Sequence, residues 1–431
     1  VNIKKPVSLN LDVRGLEQSA TLAINDRSKS LQHDGKIIYR AGLGQSPFPV
    51  PTPVVDSLKL HAREKDYLPA KGLPALREAV AEFHRDKDGV DAHPDYVLVG
   101  PGSKELMFLL QLVYYGELVV PTPCWVSYIP QARILGRQIS LVHTRAKDGW
   151  KMTAKRLEEH CYREQDDYRP RILVLNYPNN PVGNTYSSDE LKELAEVAKK
   201  YEVVLLSDEI YGQLHHQGQH VSVARFYPEG TIISSGLSKW CGAGGWRLGT
   251  FTFPPALDWL LDKMAVVASE TYTSVSAPIQ HAAVTAFKGG VRIERYLWHV
   301  RRILAGLGNE CASALLKADL RVDQPEGGFY LFLNFSLLKA KLRKRGIINS
   351  AMLCNKLLEE TGVAILPGAV FGRLSKELTA RFAYVDFDGA KALTASETIP
   401  LEQPLPDNFI DIWCGNVIKS VQLIIDWTKQ Y

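Results

Sequence analysis

Apolar residues in this chain arrive in short unbroken runs separated by longer amphipathic stretches. Residues 96–100, 117–121, 171–176, 203–207, 231–234 and 248–253 are rich in Val, Ile and Leu without strict alternation. That is the pattern of strands buried on both faces. Between them, 104–115 reads as a buried helix with Ser103 as its cap. Residues 187–201 read as an amphipathic helix with Ser188 and the acidic pair Asp189 and Glu190 at its start. Strands alternating with helices predict a mainly parallel, doubly wound α/β sheet. After about residue 290 the texture changes. A long helix over 293–316 leads to β-rich runs at 327–334 and 363–367, as expected of a smaller α+β unit. Residues 386–408, rich in Pro, Asp and Gly, read as a surface loop. The expected organisation is a large domain over 48–295 and a discontinuous small domain built from 1–47 and 296–431.

Composition narrows the function classes. With 431 residues, two domains are expected. Hydrophobic residues make up 45% and charged residues 23%, an ordinary globular balance, and a formal charge of +4 is too small to imply nucleic-acid or membrane binding. No apolar run approaches the length of a membrane span. The first residues carry Lys4 and Lys5 without an apolar stretch behind them, so no secretory leader is expected. The six cysteines form no C-x-x-C pair. Scattered thiols of this kind suit a reduced, cytoplasmic protein without a metal site.

Four segments carry chemistry. Gly236-Leu-Ser238-Lys239-Trp-Cys-Gly-Ala-Gly-Gly-Trp-Arg247-Leu-Gly249 lies between two expected strands. A lysine amine condenses with an aldehyde cofactor to give an imine, and a guanidinium after a glycine-rich turn suits a phosphate dianion. A lone lysine in such a loop is ordinarily a solvated side chain. A dinucleotide-binding reading fails because Arg247 stands where the third glycine belongs. Gly100-Pro-Gly102-Ser103-Lys104 joins a strand to a helix N-terminus, whose free N–H groups favour an anion. Asn176-Tyr-Pro-Asn-Asn180-Pro-Val-Gly183 reads alone as a Pro-Gly turn. Ser207-Asp208-Glu-Ile-Tyr211 reads alone as the acidic end of a strand.

Taken together, these segments resemble the fold-type I pyridoxal-phosphate aminotransferases of class I/II, the aspartate aminotransferase superfamily, and within it the bacterial aspartate/aromatic branch. The likeness runs from about residue 19 to 384. It implies a mainly parallel seven-stranded sheet in the large domain, and pyridoxal 5'-phosphate as cofactor. It implies that Lys239 holds that cofactor as an internal aldimine and then moves the substrate proton. Asp208 would pair with the ring nitrogen, Tyr211 and Asn180 with the ring oxygen, and Trp125 would lie on the ring. Gly102, Ser103, Lys104 (through its amide), Ser238 and Arg247 would surround the phosphate. Tyr67 would reach the phosphate of the other subunit of a homodimer. Arg381, with Gly44 and Asn180, would take the substrate carboxylate.

The implied reaction is ping-pong transfer of an amino group from an L-amino acid to a 2-oxo acid. A lyase or cyclopropane-forming synthase on the same fold is the alternative. A cofactor-sensing repressor is a remoter one, because it needs a DNA-binding domain that the roughly forty residues before the cofactor domain do not supply. Gly236 and Val182 stand where relatives often carry Ser and Thr. Ser103 stands about where aspartate-specific relatives carry lysine, which favours hydrophobic 2-oxo acids over dicarboxylates. Phe329 and Tyr330 are expected to face either substrate or core, and the 386–408 loop to shape the entrance.

Overall fold

A computed structural model describes residues 10–16, 18–163 and 169–430; Lys4 and Lys5 lie outside them. In chain order the strands are β1 (Tyr39–Arg40), β2 (Val97–Gly100), β3 (Glu117–Thr122), β4 (Ile139–His143), β5 (Arg171–Asn176), β6 (Val204–Asp208), β7 (Thr231–Gly236), β8 (Gly249–Thr252), β9 (Tyr330–Asn334), β10 (Val363–Ala364), β11 (Leu366–Pro367) and β12 (Thr379–Ala383).

Seven of these form one sheet in the order β2-β8-β7-β6-β5-β3-β4. Only β8 runs against its neighbours, β2 and β7; the other pairings are parallel. This is the mainly parallel α/β sheet that the apolar runs predict. Every residue of β5, β6 and β7 is buried, because helices cover both faces. Along β5, Ile172 and Val174 pack into one core with Leu106, Leu110 and Met264, while Leu173 and Leu175 pack into another with Leu157, Leu191 and Leu194. Each such leucine contributes about 1.5–3 kcal/mol through burial. A second, antiparallel sheet has the order β11-β12-β9, and β1 pairs with β10.

Four details differ from the sequence expectations. Strand β4 is an addition: it lies at the sheet edge with no buried residue, so its run of apolar residues is broken by polar ones. Ser103 is not a cap. The helix Ser103–Val113 is preceded by Gly102 at φ 90° and has no side-chain cap. The helix expected over 187–201 runs over Ser188–Lys200, with Ser187 as its cap. Ser187 Oγ accepts from the Glu190 N–H (3.2 Å) and Glu190 Oε2 accepts from the Ser187 N–H (2.8 Å), a capping box. Within 386–408, Gly389–Glu397 is a helix capped by Asp388, which accepts from the Lys391 N–H at 3.1 Å.

Strands β2, β3, β5, β6 and β7 point the same way, so their carboxyl ends meet along one edge. That edge is where open α/β sheets bind ligands.

Candidate active site

A cavity of about 560 Å³ opens at that edge. β6 ends in Asp208 and β7 in Gly236, so the chain leaving them delivers Tyr211, Ser238 and Lys239. The turn after β2 delivers Ser103 and Lys104, the turn after β3 delivers Trp125, and the turn after β5 delivers Asn180. Arg381 arrives from β12, in the second sheet, and Gly44 from the segment after β1.

Lys239 donates from Nζ to the Gly44 carbonyl at 2.7 Å. Its Nζ lies 5.5 Å from the centre of the Tyr211 ring and 6.0 Å from that of Phe329. Burial, then the charge of Arg381, lowers its pKa to about 8, against the pull of Asp208. A lysine so placed is partly neutral near physiological pH, which an imine-forming or proton-moving amine requires.

Burial raises Asp208 to about 6, against hydrogen bonds from Tyr128, Ser234 and the Ile210 N–H and the charge of Lys239. Tyr128 donates to Asp208 Oδ2 at 2.5 Å, and Ser234 to Oδ1 at 3.3 Å. A cation placed beside this carboxylate would restore its charge.

Tyr211, Asn180 and Arg381 form a chain. Arg381 donates to Asn180 Oδ1 (3.1 Å) and to the Gly42 carbonyl (2.6 Å), and Asn180 Nδ2 donates to the Tyr211 hydroxyl at 3.5 Å. The guanidinium lies 4.7 Å from the Tyr330 ring and 5.1 Å from that of Phe371. Its Nε is buried without a partner, so the fork still asks for an acceptor, and a carboxylate fits.

At the mouth, Arg247 donates to the carbonyls of Gly244 (3.0 Å) and Pro101 (3.1 Å). A Cβ on Gly102 would strike its guanidinium. Glycine at φ 90° is therefore what lets Arg247 lie against the start of the Ser103–Val113 helix.

The sequence-derived residues converge with two exceptions. Gly102 does not line the cavity but lies directly beneath the Arg247 guanidinium, and Tyr67 is 89% exposed and outside it. Of the pair left open, Tyr330 lines the cavity and shares a 2.8 Å hydrogen bond with Tyr211, whereas Phe329 belongs to the core. None of residues 386–408, expected to shape the entrance, lines this cavity. Leu401 lines a different cavity, beside Trp240 and Trp298.

Sequence reasoning missed Tyr128 and Ser234. Tyr128 stands three residues after Trp125, and its ring meets that of Trp125 edge-on at 5.2 Å; that spacing was the available signal. It also missed the Lys104 side chain. The Lys104 ammonium sits 5.2 Å from the centre of the Trp125 ring, and burial, then Arg247, lowers its pKa. Ser103 carries no charge itself, but the next residue, Lys104, brings an ammonium to the cavity lining.

A half-buried amine, a buried carboxylate, a cation beside a helix start and a carboxylate-seeking arginine at one sheet edge define an enzyme that handles amino acids on an aldehyde cofactor with an anionic tail. The comparisons agree. The model of the family "Aminotransferase class I and II" matches residues 42–386. The aspartate aminotransferase of Geobacillus stearothermophilus is 32% identical over 371 residues, 84% of this chain and 91% of its own length. The asparagine–oxo-acid transaminase of Streptococcus mutans is 30% identical over 383 residues, 84% of this chain and 92% of its own. The structure of the Thermus thermophilus aspartate aminotransferase with maleate superposes with a TM-score of 0.81 at 26% identity, covering 97% of this chain and 99% of that one. The chain belongs to the class I and II aminotransferases. It is a transaminase that depends on pyridoxal 5'-phosphate. The donor set described above fits that cofactor.

Proposed function

We propose that this transaminase acts on acidic amino acids and their 2-oxo acids, with Lys239 as the amine that holds the cofactor and moves the proton at the substrate Cα. The observation that carries the reading is the convergence of Lys239, Asp208 and Arg381 on one cavity, with Lys104 as a second cation.

Pyridoxal phosphate supplies an aldehyde for amines to bond and a ring that takes up the electron pair left at Cα when its proton departs. Asp208 would keep the ring nitrogen protonated and so the ring electron-poor. Trp125 would lie against the ring, and Tyr211 with Asn180 would hold the ring oxygen. Arg247, Ser238 and the backbone of Gly102, Ser103 and Lys104 would hold the phosphate. Arg381 orients the substrate by its α-carboxylate, with Asn180 and the backbone at Gly44 completing the clamp. Lys239 would take the Cα proton and return it to the cofactor carbon that carried the aldehyde, on the far side of the substrate nitrogen.

A dicarboxylic substrate is supported by the Lys104 ammonium, by the Ser19 and Thr21 hydroxyls lining the same cavity, and by relatives named for aspartate and asparagine. Tyr67 we assign to the phosphate of a partner subunit. Its 89% exposure in one chain supports that assignment and a homodimer with shared sites. Residues 48–295 are taken as the cofactor domain, and 1–47 with 296–431 as the second. Six buried free cysteines support a cytoplasmic setting. No helix among the described residues is long and apolar enough to cross a membrane.

A half-reaction panel tests the reading. Single amino acids are added to the loaded enzyme while its visible absorbance is followed. Aspartate and glutamate should bleach the band at lower concentrations than leucine or phenylalanine. A panel in which only apolar amino acids bleach it would overturn the substrate class, and one in which none does would overturn the roles assigned here.

A further inference from the structure

The residue after Asp208 belongs to a different polar group. Glu209 is buried and does not line the cavity. Its Oε1 accepts from Ser207 Oγ (2.7 Å), Ser222 Oγ (2.6 Å) and the Tyr177 hydroxyl (3.4 Å), and its Oε2 lies 2.7 Å from His220 Nε2. Burial opposes both charges. The mutual attraction overcomes it, holding the Glu209 carboxyl below its ordinary range and His220 above its own. Asp88, itself 2.7 Å from His84 Nδ1, adds to the upward pull on His220, and Arg225 opposes it. A buried ion pair is seldom more stabilising than apolar side chains of the same size. Stability alone is therefore a poor reason for this one.

Its connections suggest another reason. The Glu209 backbone donates to the Ser234 carbonyl (2.9 Å) and accepts from the Gly212 N–H (2.8 Å). The His220 ring packs so closely on Gly212 that a Cβ there would meet Cδ2 at 2.9 Å. The turn between, residues 208–212, carries Asp208 and Tyr211. Tyr177 extends the network to the neighbouring turn. Its backbone donates to the Asp208 carbonyl (3.3 Å). Asn176 Nδ2 donates to that same carbonyl (2.9 Å), while Asn176 Oδ1 accepts from the Asn180 N–H (2.8 Å).

We propose that the buried Glu209–His220 pair is a positioning device: it fixes the turn that carries Asp208 and Tyr211 and, through Tyr177, the turn that carries Asn180 and so steadies Arg381. This rests on the roles assigned above to those four groups. Neither Glu209 nor His220 lines the cavity. They act by holding the residues that do.

The test uses the loaded enzyme and four variants. Glu209→Gln keeps the shape and removes the charge. The expected result is weaker cofactor affinity, a kcat lower by about 10- to 100-fold, and a shift of about one pH unit in the midpoint of the visible-band titration. Tyr177→Phe cuts the link to the second turn and should raise the KM for the amino donor more than it weakens the cofactor. A Glu209→Gln enzyme that melts earlier yet keeps its titration midpoint, cofactor affinity, kcat and KM would overturn the proposal and leave the pair a structural one. If Glu209→Gln does not fold, Ser222→Ala removes one hydrogen bond and keeps both charges, and the same readouts decide. Asp208→Asn is the control. Unaltered absorbance and turnover there would overturn the assigned roles, and the proposal with them.

Discussion

The Tyr128 hydroxyl donates to the Asp208 carboxylate across 2.5 Å, both groups being buried. Tyr128 begins the helix Tyr128–Ile134 after β3 and Asp208 ends β6, so the bond ties the wall that carries Trp125 to the carboxylate proposed to face the ring nitrogen. It is one of the bonds that keep Asp208 from rising further above about 6. Tyr128→Phe should therefore raise the Asp208 pKa again. A hydrogen bond to a charged group contributes about 1.5–3 kcal/mol, so the acid limb of the kcat/KM profile should move up by about one pH unit. An unmoved acid limb would show that Asp208 does not depend on Tyr128.

Asp208 should also leave a mark on stability. Its folded pKa of about 6 exceeds the ordinary 3.8. Between these values the folded apoenzyme keeps a proton that the unfolded chain has lost. The stabilisation from that proton is fully present below about pH 4 and is lost as pH rises through 6. A shift of about two units corresponds to about 3 kcal/mol. Asp208→Asn should therefore make the apoenzyme more resistant to urea at pH 8 than the native protein, with the difference vanishing near pH 4, while transamination is lost. Equal unfolding midpoints at pH 8 would contradict this.

The two cations at the substrate end should separate in kinetics. Lys104→Ala should raise the KM for aspartate on the order of ten-fold and leave an apolar donor nearly untouched, because only a distal carboxylate meets that ammonium. Arg381→Ala should impair both donors, since every amino acid offers an α-carboxylate. A Lys104→Ala enzyme with unchanged preference would remove this lysine from substrate recognition.

Arg302 offers a test away from the site. It donates to Ser396 Oγ (2.8 Å), to the Ser396 carbonyl, and to the carbonyls of Ile399 (2.8 Å), Pro400 (3.1 Å) and Gln403 (3.4 Å). One guanidinium thus closes the C-terminal end of the Gly389–Glu397 helix and straps down the loop behind it. Arg302→Met should cost about 1–3 kcal/mol and open residues 398–408 to limited proteolysis. A loop that stays resistant would mean that packing, rather than Arg302, holds it.

These residues also show what was legible beforehand. β5 could be read to the residue because all six of its positions are buried and both ends are marked by polar side chains. β4 could not, since an edge strand carries no continuous apolar run. The Gly389–Glu397 helix hid in a stretch whose composition signals a loop, with Asp388 as its single cue. Lys239, Asp208, Asn180 and Arg247 stood in readable segments at strand ends. Tyr128, Ser234 and the Lys104 ammonium did not. Their parts depend on which side of a helix or strand faces the cavity, and that direction is set by tertiary packing. The Ser103–Val113 helix starts one residue before the start read from the sequence, and Lys104 reaches the cavity from its first turn.

The most direct measurement is to reduce the loaded enzyme with borohydride, digest it and locate the lysine that carries the reduced cofactor. The expected result is a single modified peptide containing Lys239, with no adduct and no transamination in Lys239→Ala. Modification at Lys104 or elsewhere in place of Lys239, or turnover surviving in Lys239→Ala, would contradict the assignment.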